Sequence, residues 1–181
     1  MRYFLLIGVL AVLAGGVTAQ EPPKAAAPDK AHEWLKQLEG EWVCESEAVM
    51  APGQPAIKFK GSDATRSLGG FWTVSELKCD MMGETMTGLM TVGYDDKKKK
   101  FVGTWVCSMD NTMFHYEGEL DAAKKVLTLN TEGPNPAGDG KTVKMKDVIE
   151  VKDKDTKVLT SHMQIDGKWV QFMTITAKRK K

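Results

Sequence analysis

The sequence predicts an all-β fold: an antiparallel up-and-down barrel of about ten strands with one short helix in front of it. From Glu41 onward, apolar and polar residues alternate with a period of two, which is typical of half-buried strands. Turn-forming residues recur about every eight to twelve positions, so neighbouring strands join as hairpins. Because sequential antiparallel strands leave two exposed edges, we expect the sheet to close on itself.

Composition and charge exclude several classes of protein. The 181 residues are 42% hydrophobic and 27% charged, as in an ordinary globular domain. Arg2 is the only charged residue of the first 19, so the rest of the chain carries 24 basic and 24 acidic residues. This balance argues against nucleic acid as the main partner.

The first residues resemble a targeting segment. Residues 1–19 are predicted to be a signal peptide cleaved after Ala19, because Arg2 precedes an apolar run of 14 residues, Phe4–Val17. The run is shorter than the roughly 20 residues of a membrane-spanning helix. We therefore expect an exported protein, periplasmic or extracellular, with no membrane span in the mature chain. An uncleaved membrane anchor is the alternative.

A flexible linker is predicted over residues 20–28, which hold three prolines and no periodic pattern. The domain is predicted over residues 29–181. It begins with a helix that Asp29 caps and Gly40 ends, with apolar residues at helical spacing between them. Strands are then predicted over 41–50, 56–66, 70–79, 83–93, 100–108, 112–120, 125–132, 141–151, 156–165 and 168–179.

The alternation also predicts which side chains face the interior of the barrel. Four strands carry the clearest inward phases. These phases are Met82, Met86, Met90 and Val92; Phe101, Gly103, Trp105, Cys107 and Met109; Phe114, Tyr116 and Leu120; and Trp169, Gln171, Met173 and Ile175.

A Gly-x-Trp motif opens the first predicted strand after the short helix, and a basic residue ends the last one. Gly40, Trp42 and Arg179 in this arrangement resemble the signature of calycin barrels. The resemblance implies that Trp42 packs across the floor of the barrel against Arg179 and that all three residues are structural.

An ordered set of further motifs resembles the uncharacterised bacterial family called domain of unknown function 1579. The set covers nearly all of residues 32–180 and includes Leu68–Phe71, Phe101–Met109 and Tyr116–Gly118. The resemblance implies a lipocalin-like or nitrobindin-like barrel and no established activity.

The chain departs from that family at two acidic positions. The family's Trp-x-Asp-Ser is Trp105–Ser108 with Cys107 at the acidic position, and an acid of the penultimate strand is replaced near Thr160 or Ser161. If the two carboxylates form a paired site in the family, this chain lacks it.

The sequence offers few catalytic or metal-binding patterns. It contains no HxH, HExxH or GxSxG motif, so no catalytic residue and no metal ligand is predicted. His32, His115 and His162 are predicted to lie on the surface or at the rim. Cys44, Cys79 and Cys107 have no framework spacing and are predicted to be buried free thiols, although two of them could pair in an oxidising compartment.

Methionine is unusually frequent, with ten residues after the signal peptide. Its thioether suits an adaptable apolar pocket, although a packed core would explain the same residues. We predict non-enzymatic binding of a small hydrophobic or amphipathic ligand inside the barrel. The candidate pocket residues are Met86, Met90, Trp105, Phe114, Tyr116 and Met173.

Three alternatives remain open. Asp147 interrupts an apolar phase and would form a polar site facing inward, with Arg66 or a threonine as partner, unless it forms an internal salt bridge or the register shifts. Together with His162, Asp147 would supply the reactive groups of a small-molecule enzyme.

No cofactor is predicted, but His162 could ligate haem, and thioethers could bind copper. The thioether set is Met81, Met82, Met86, Met90 and Met109.

Overall fold

The computed structural model describes residues 27–49, 53–81, 83–136 and 138–181. The predicted signal peptide and most of the predicted linker lie outside these residues, as does Met82. One helix, α1 (Lys30–Leu35), continues into a 3₁₀ turn at Lys36–Leu38. The strands are β1 (Gly40–Ala48), β2 (Ile57–Leu68), β3 (Trp72–Met81), β4 (Glu84–Asp95), β5 (Lys100–Cys107), β6 (Phe114–Leu120), β7 (Val126–Pro134), β8 (Thr142–Asp153), β9 (Thr156–Ile165) and β10 (Lys168–Arg179).

The ten strands form a closed antiparallel barrel in which each strand pairs with the next and β10 pairs with β1. The predicted fold class is confirmed, and the strand boundaries differ from prediction by a few residues at most. Gly69 and Gly70 delay the start of β3 because both adopt a positive φ, 65° and 78°, in the turn that precedes it. Closure gives β1 and β10 a hydrogen-bonding partner on each side.

The segment α1 closes one end of the barrel, called here the helix end. Trp34, Leu35 and Leu38 are buried in the core. The Trp34 indole Nε1 donates a hydrogen bond to the carbonyl of Lys124, 2.9 Å away, and its ring meets Phe101 edge-on. In the part of the chain that the structure describes, no helix has the length and hydropathy to cross a membrane.

His32 is buried, contrary to the prediction of a position on the surface or at the rim. Its side chain is 2% exposed and packs edge-on against Phe71 and Tyr94. The physical reason is the N-terminal cap of α1: the Asp29 carboxylate accepts the backbone N–H of His32, and the imidazole reaches back to the backbone N–H of Asp29. This reciprocal cap turns the ring toward the barrel.

The inward faces agree with prediction on β4 and β6, where Met86, Met90 and Tyr116 are buried. On β10 the prediction is wrong for two residues. The register shifts between Gln171 and Met173, so the side chains on either side of this bulge change faces. Met173 and Ile175 keep the inward phase, whereas Gln171 is exposed and Trp169 is 41% exposed.

All three cysteines are free, and the predicted burial holds for two of them. Cys44 and Cys79 are buried, and Cys107 at the end of β5 is partly exposed. Met109 was expected on the inward phase of the same strand, but β5 ends before it, and its side chain is 52% exposed.

Trp34, which is buried at the helix end of the barrel, gives a direct test of the fold. Trp34→Ala is expected to lower the free energy of unfolding by about 3–5 kcal/mol, because it leaves a cavity against Phe101. Trp34→Phe is expected to lose about 1 kcal/mol, since it keeps most of the packing but not the bond to Lys124. Denaturant unfolding measures both. Glu33→Ala, at an exposed position of the same helix, is the control, and its expected change in the free energy of unfolding is within about 0.5 kcal/mol. Equal losses for Trp34→Ala and Glu33→Ala would contradict the role of Trp34 in closing the helix end.

Candidate functional site

A cavity of about 70 Å³ lies inside the barrel. One part of its wall is apolar and includes Leu77, Met90, Trp105, Ile149, Ile175 and Ala177. The other part is polar and consists of Asp63, Thr65, Thr73, Ser75 and Lys157, and the buried thiol of Cys44 also lines the cavity. A buried space with both kinds of wall can hold a molecule that has an apolar and a polar part.

The polar wall contains a buried ion pair that crosses the barrel from β2 to β9. Lys157 Nζ lies 2.7 Å from a carboxylate oxygen of Asp63, and the two side chains are 12% and 11% exposed. The Asp63 carboxylate also accepts hydrogen bonds from the hydroxyls of Thr65, at 3.0 Å, and Ser75. These bonds offset the cost of removing both charges from water.

Lys157 has two further contacts at the floor of the cavity. Its Nζ donates to the carbonyl of Leu38 at 3.3 Å and lies 4.4 Å from the ring centroid of Trp42. Burial lowers the pKa of Lys157, and the attraction of Asp63 only partly opposes this effect. Burial likewise raises the pKa of the Cys44 thiol to about 12, so this thiol stays protonated at neutral pH.

Gly40, Trp42 and Arg179 meet at the helix end of the barrel. The Arg179 guanidinium carbon lies 4.1 Å from the Trp42 ring centroid, and its Nη1 donates to the carbonyl of Glu39 at 2.6 Å. Gly40 makes this approach possible, because a Cβ there would lie 2.2 Å from Arg179 Nη1 and its φ is +123°. The Trp42 indole donates to the carbonyl of Leu38 at 3.0 Å, so the three residues join β1 and β10 to the 3₁₀ turn.

The predicted pocket residues fall into two groups. Met90 and Trp105 line the cavity, and the Trp105 ring lies over Gly88, where a Cβ would be 2.0 Å from the indole. Met86, Phe114, Tyr116 and Met173 are not part of the cavity wall. Met86, Phe114 and Met173 lie toward the end of the barrel opposite the helix.

Asp147 faces the interior within a cluster of hydroxyls. Its carboxylate accepts hydrogen bonds from Tyr116 Oη, 2.5 Å away, and from the hydroxyl of Ser161. Burial raises the pKa of Asp147, and these two hydrogen bonds only partly offset it. Burial and the neighbouring Asp147 also raise the pKa of Tyr116 well above 10.

Asp147 was predicted to have Arg66 or a threonine as its partner, or to form an internal salt bridge, and the structure gives it other partners. Arg66 is exposed on β2, and the ion pairs of the described residues do not include Asp147. Ser161, one of the two positions where the family resemblance led us to expect an acid, lies directly opposite Asp147 and donates to it. The neighbour of Asp147 on β9 is therefore a hydroxyl and not a second carboxylate.

His162 lies next to Ser161 on β9 and so faces the other side of the barrel wall. It pairs with Lys146, whose ammonium lies over the ring of the exposed Trp169 at 4.4 Å. Its Nδ1 is buried without a hydrogen-bond partner, and burial and Lys146 lower the pKa of His162. Asp147 and His162 therefore do not meet on one face as an acid–base pair.

Four of the five thioethers of the copper hypothesis lie within the described residues, and they differ in burial. Met86 and Met90 are buried, Met81 is partly exposed and Met109 is exposed. Across residues 27–49, 53–81, 83–136 and 138–181, no group of three or more His, Cys, Asp or Glu side chains is arranged to hold a metal ion.

Sequence reasoning missed the ion pair of the cavity. Asp63 shares the phase of Phe59 and Thr65 on β2, which changes from apolar to polar along the strand. Lys157 shares the phase of Leu159 on β9. An acid and a base, each on the inward phase of a strand, are the signal that would have indicated a buried pair.

The buried carboxyl of Asp147 predicts a pH dependence of stability. Its raised pKa means that the folded chain binds this proton more tightly than the unfolded chain, whose Asp pKa is near 3.8. The resulting stabilisation is complete below 3.8 and is lost as the pH rises through the pKa of the folded state. Relative to Asp147→Asn, the wild-type free energy of unfolding should therefore fall with increasing pH in denaturant titrations.

The exposed Asp96→Asn is the matched control for the Asp147 titration. A difference between wild type and Asp147→Asn that stays constant with pH would contradict the assignment.

Comparison with known proteins identifies the family. A family model described as Protein of unknown function (DUF1579) matches residues 27–179, and no curated protein matches the sequence. The crystal structure of Rv2717c from M. tuberculosis is similar in fold, with a TM-score of 0.63 and 10% identity over 86% of this chain and 100% of that chain. A redesigned β-barrel has a TM-score of 0.44 and 11% identity over 86% of this chain and 100% of its own. EF1p2_mFAP2b bound to DFHBI has a TM-score of 0.45 and 12% identity over 83% and 99%. Because the family model covers most of its length, this chain belongs to the family described as Protein of unknown function (DUF1579).

Proposed function

We propose that the protein is a non-enzymatic binding protein that holds a small amphipathic molecule in the interior cavity. Support comes from one observation: apolar and hydrogen-bonding side chains together line a cavity of about 70 Å³ inside the barrel. A cavity whose lining includes hydrogen-bonding groups can hold water or a ligand.

The volume of the cavity restricts the ligand. It is far below the roughly 300–1,000 Å³ of sites for drug-sized molecules, so it fits a molecule with few non-hydrogen atoms. A longer chain would have to displace Met90, whose three rotatable bonds allow the side chain to move. Small ligands are therefore favoured over long-chain lipids.

The walls also orient the ligand. Its apolar part would contact Leu77, Ile175 and Trp105, which lie in the apolar wall. Its polar group would face Ser75 and the Asp63–Lys157 pair and compete for their hydrogen bonds. An apolar end and one polar end are thus the features of a fitting ligand.

Export is part of the same proposal. A carrier of small molecules outside the cytoplasm is compatible with the predicted signal peptide and its cleavage after Ala19. Native mass spectrometry of the protein from its own host would report the mature N-terminus and a bound molecule in one spectrum.

The test of binding uses straight-chain alcohols of increasing length with purified protein. A ligand at 100 times its Kd stabilises the folded state by roughly 2.7 kcal/mol. For a chain of this size that corresponds to a rise in Tm of about 5–10 °C. The rise is expected for short alcohols and should disappear when the chain outgrows the cavity.

Two matched variants locate the binding site. Ala177→Val adds two methyl groups at the cavity wall and should abolish the rise in Tm caused by alcohol. Ala64→Val makes the same change next to Asp63 on the opposite face of β2 and should leave it intact. No shift in the wild type, or equal shifts in both variants, would count against the proposal.

A further inference from the structure

We infer that Lys157 forms a reversible imine with small aldehydes that enter the cavity. This inference rests on the proposed function and names a ligand class for the same site. Three features carry it: an amine in the cavity wall, a carboxylate 2.7 Å from that amine, and apolar side chains in the same lining. An aldehyde has the complementary parts, an electrophilic carbon and a short apolar chain.

Lys157 is the best nucleophile among the described residues that line the cavity. It supplies the one amine of the lining. The Cys44 thiol is protonated, with its pKa raised to about 12 by burial. The hydroxyls of Ser75 and Thr65 are already bonded to Asp63. Burial lowers the pKa of Lys157, so a larger fraction of this amine is neutral than at exposed lysines.

The hydrogen bonds at the floor of the cavity tolerate the loss of two donors on Lys157. The carbonyl of Leu38 keeps its hydrogen bond from Trp42 Nε1 at 3.0 Å. Asp63 keeps the hydroxyls of Thr65 and Ser75. Both hydroxyls donate to Asp63 Oδ1, whereas Oδ2 accepts from Lys157 at 2.7 Å, so the single N–H of the protonated imine has to stay on Oδ2. With that bond kept, no acceptor of this group loses its last partner when the amine becomes an imine.

The reaction balances with the groups in the cavity. The Lys157 ammonium first gives a proton to Asp63, and the neutral amine attacks the carbonyl carbon, forming a C–N bond while the C–O π pair moves to oxygen. A second proton moves from nitrogen to that oxygen and gives a carbinolamine. Asp63 then returns its proton to the hydroxyl, which leaves as water, and the nitrogen lone pair forms the C=N bond. The product is a protonated imine, so Asp63 again faces a cation.

The experiment is reductive trapping with propanal and cyanoborohydride near neutral pH, read by peptide mass spectrometry. Lys157 should gain the propyl group about tenfold or more faster than the 91% exposed Lys154. The preference should vanish in denaturant, where all lysines are equivalent. Equal rates at Lys157 and Lys154 in the folded protein would overturn the inference.

Variants separate chemistry from structure. Lys157→Arg keeps a cation for Asp63 but cannot form the adduct, and Lys154→Arg is the matched control that should label like the wild type. Asp63→Asn removes the group that returns a proton to the carbinolamine hydroxyl, so trapping at Lys157 should slow even though loss of the carboxylate also favours the neutral amine. Unchanged labelling at Lys157 in this variant would contradict the role of Asp63.

Propan-1-ol distinguishes failure of this inference from failure of the proposed function. It resembles propanal in size but has no carbonyl group. If propanol raises the Tm and propanal gives no preferred adduct at Lys157, the imine is wrong and the binding function stands. If propanol does not bind and Lys157 shows no preference, both are wrong.

Discussion

The contact between the Trp42 ring and two cations from the last two strands organises the helix end of the barrel. Arg179 of β10 and Lys157 of β9 lie 4.1 and 4.4 Å from its centroid. Each such contact contributes about 0.5–2 kcal/mol, depending on burial. The Trp42 indole also holds the 3₁₀ turn through Leu38. One side chain thus connects the first strand, the last strands and the helix that plugs the barrel.

The contacts around Trp42 explain why the interior of the barrel is not filled with apolar side chains. Lys157 reaches Trp42 from inside, so its ammonium needs a buried partner, and Asp63 supplies it. Asp63 in turn needs the hydroxyls of Thr65 and Ser75, which occupy inward positions that a well-packed core would give to Leu or Val. A buried ion pair is often no more stable than a well-packed apolar replacement. The polar wall is therefore costly for packing and leaves a space beside it.

Much of the fold could be predicted because strand alternation and turn chemistry are local. The closed order of strands followed from sequential hairpins, and the cap at Asp29 followed from its residue type. The face of Trp169 was wrong because a bulge near residue 172 is decided by contacts with β9 rather than by its own sequence. The burial of His32 combines the local cap at Asp29 with contacts to Phe71 and Tyr94, which lie far along the chain and which no local pattern encodes.

The site was harder to predict because it is built across the barrel. Met90 and Trp105 were found from alternation on β4 and β5, yet the ion pair joins residues 94 positions apart in the sequence. Polar residues on an inward phase look like surface residues until their partner is known. Pairing depends on strand order and stagger together, and only the three-dimensional structure supplies both.

The charges of the interior also limit what can bind there. Asp63 and Lys157 neutralise each other, and burial of Asp147 favours its uncharged form. An ion entering the barrel would lose its water and find no free counter-charge in these two clusters, which costs several kcal/mol. A neutral molecule with one hydrogen-bonding group avoids this cost and can still exchange bonds with Ser75 or Lys157. The electrostatics and the volume of the cavity therefore both favour a small neutral molecule as the ligand of the proposed function.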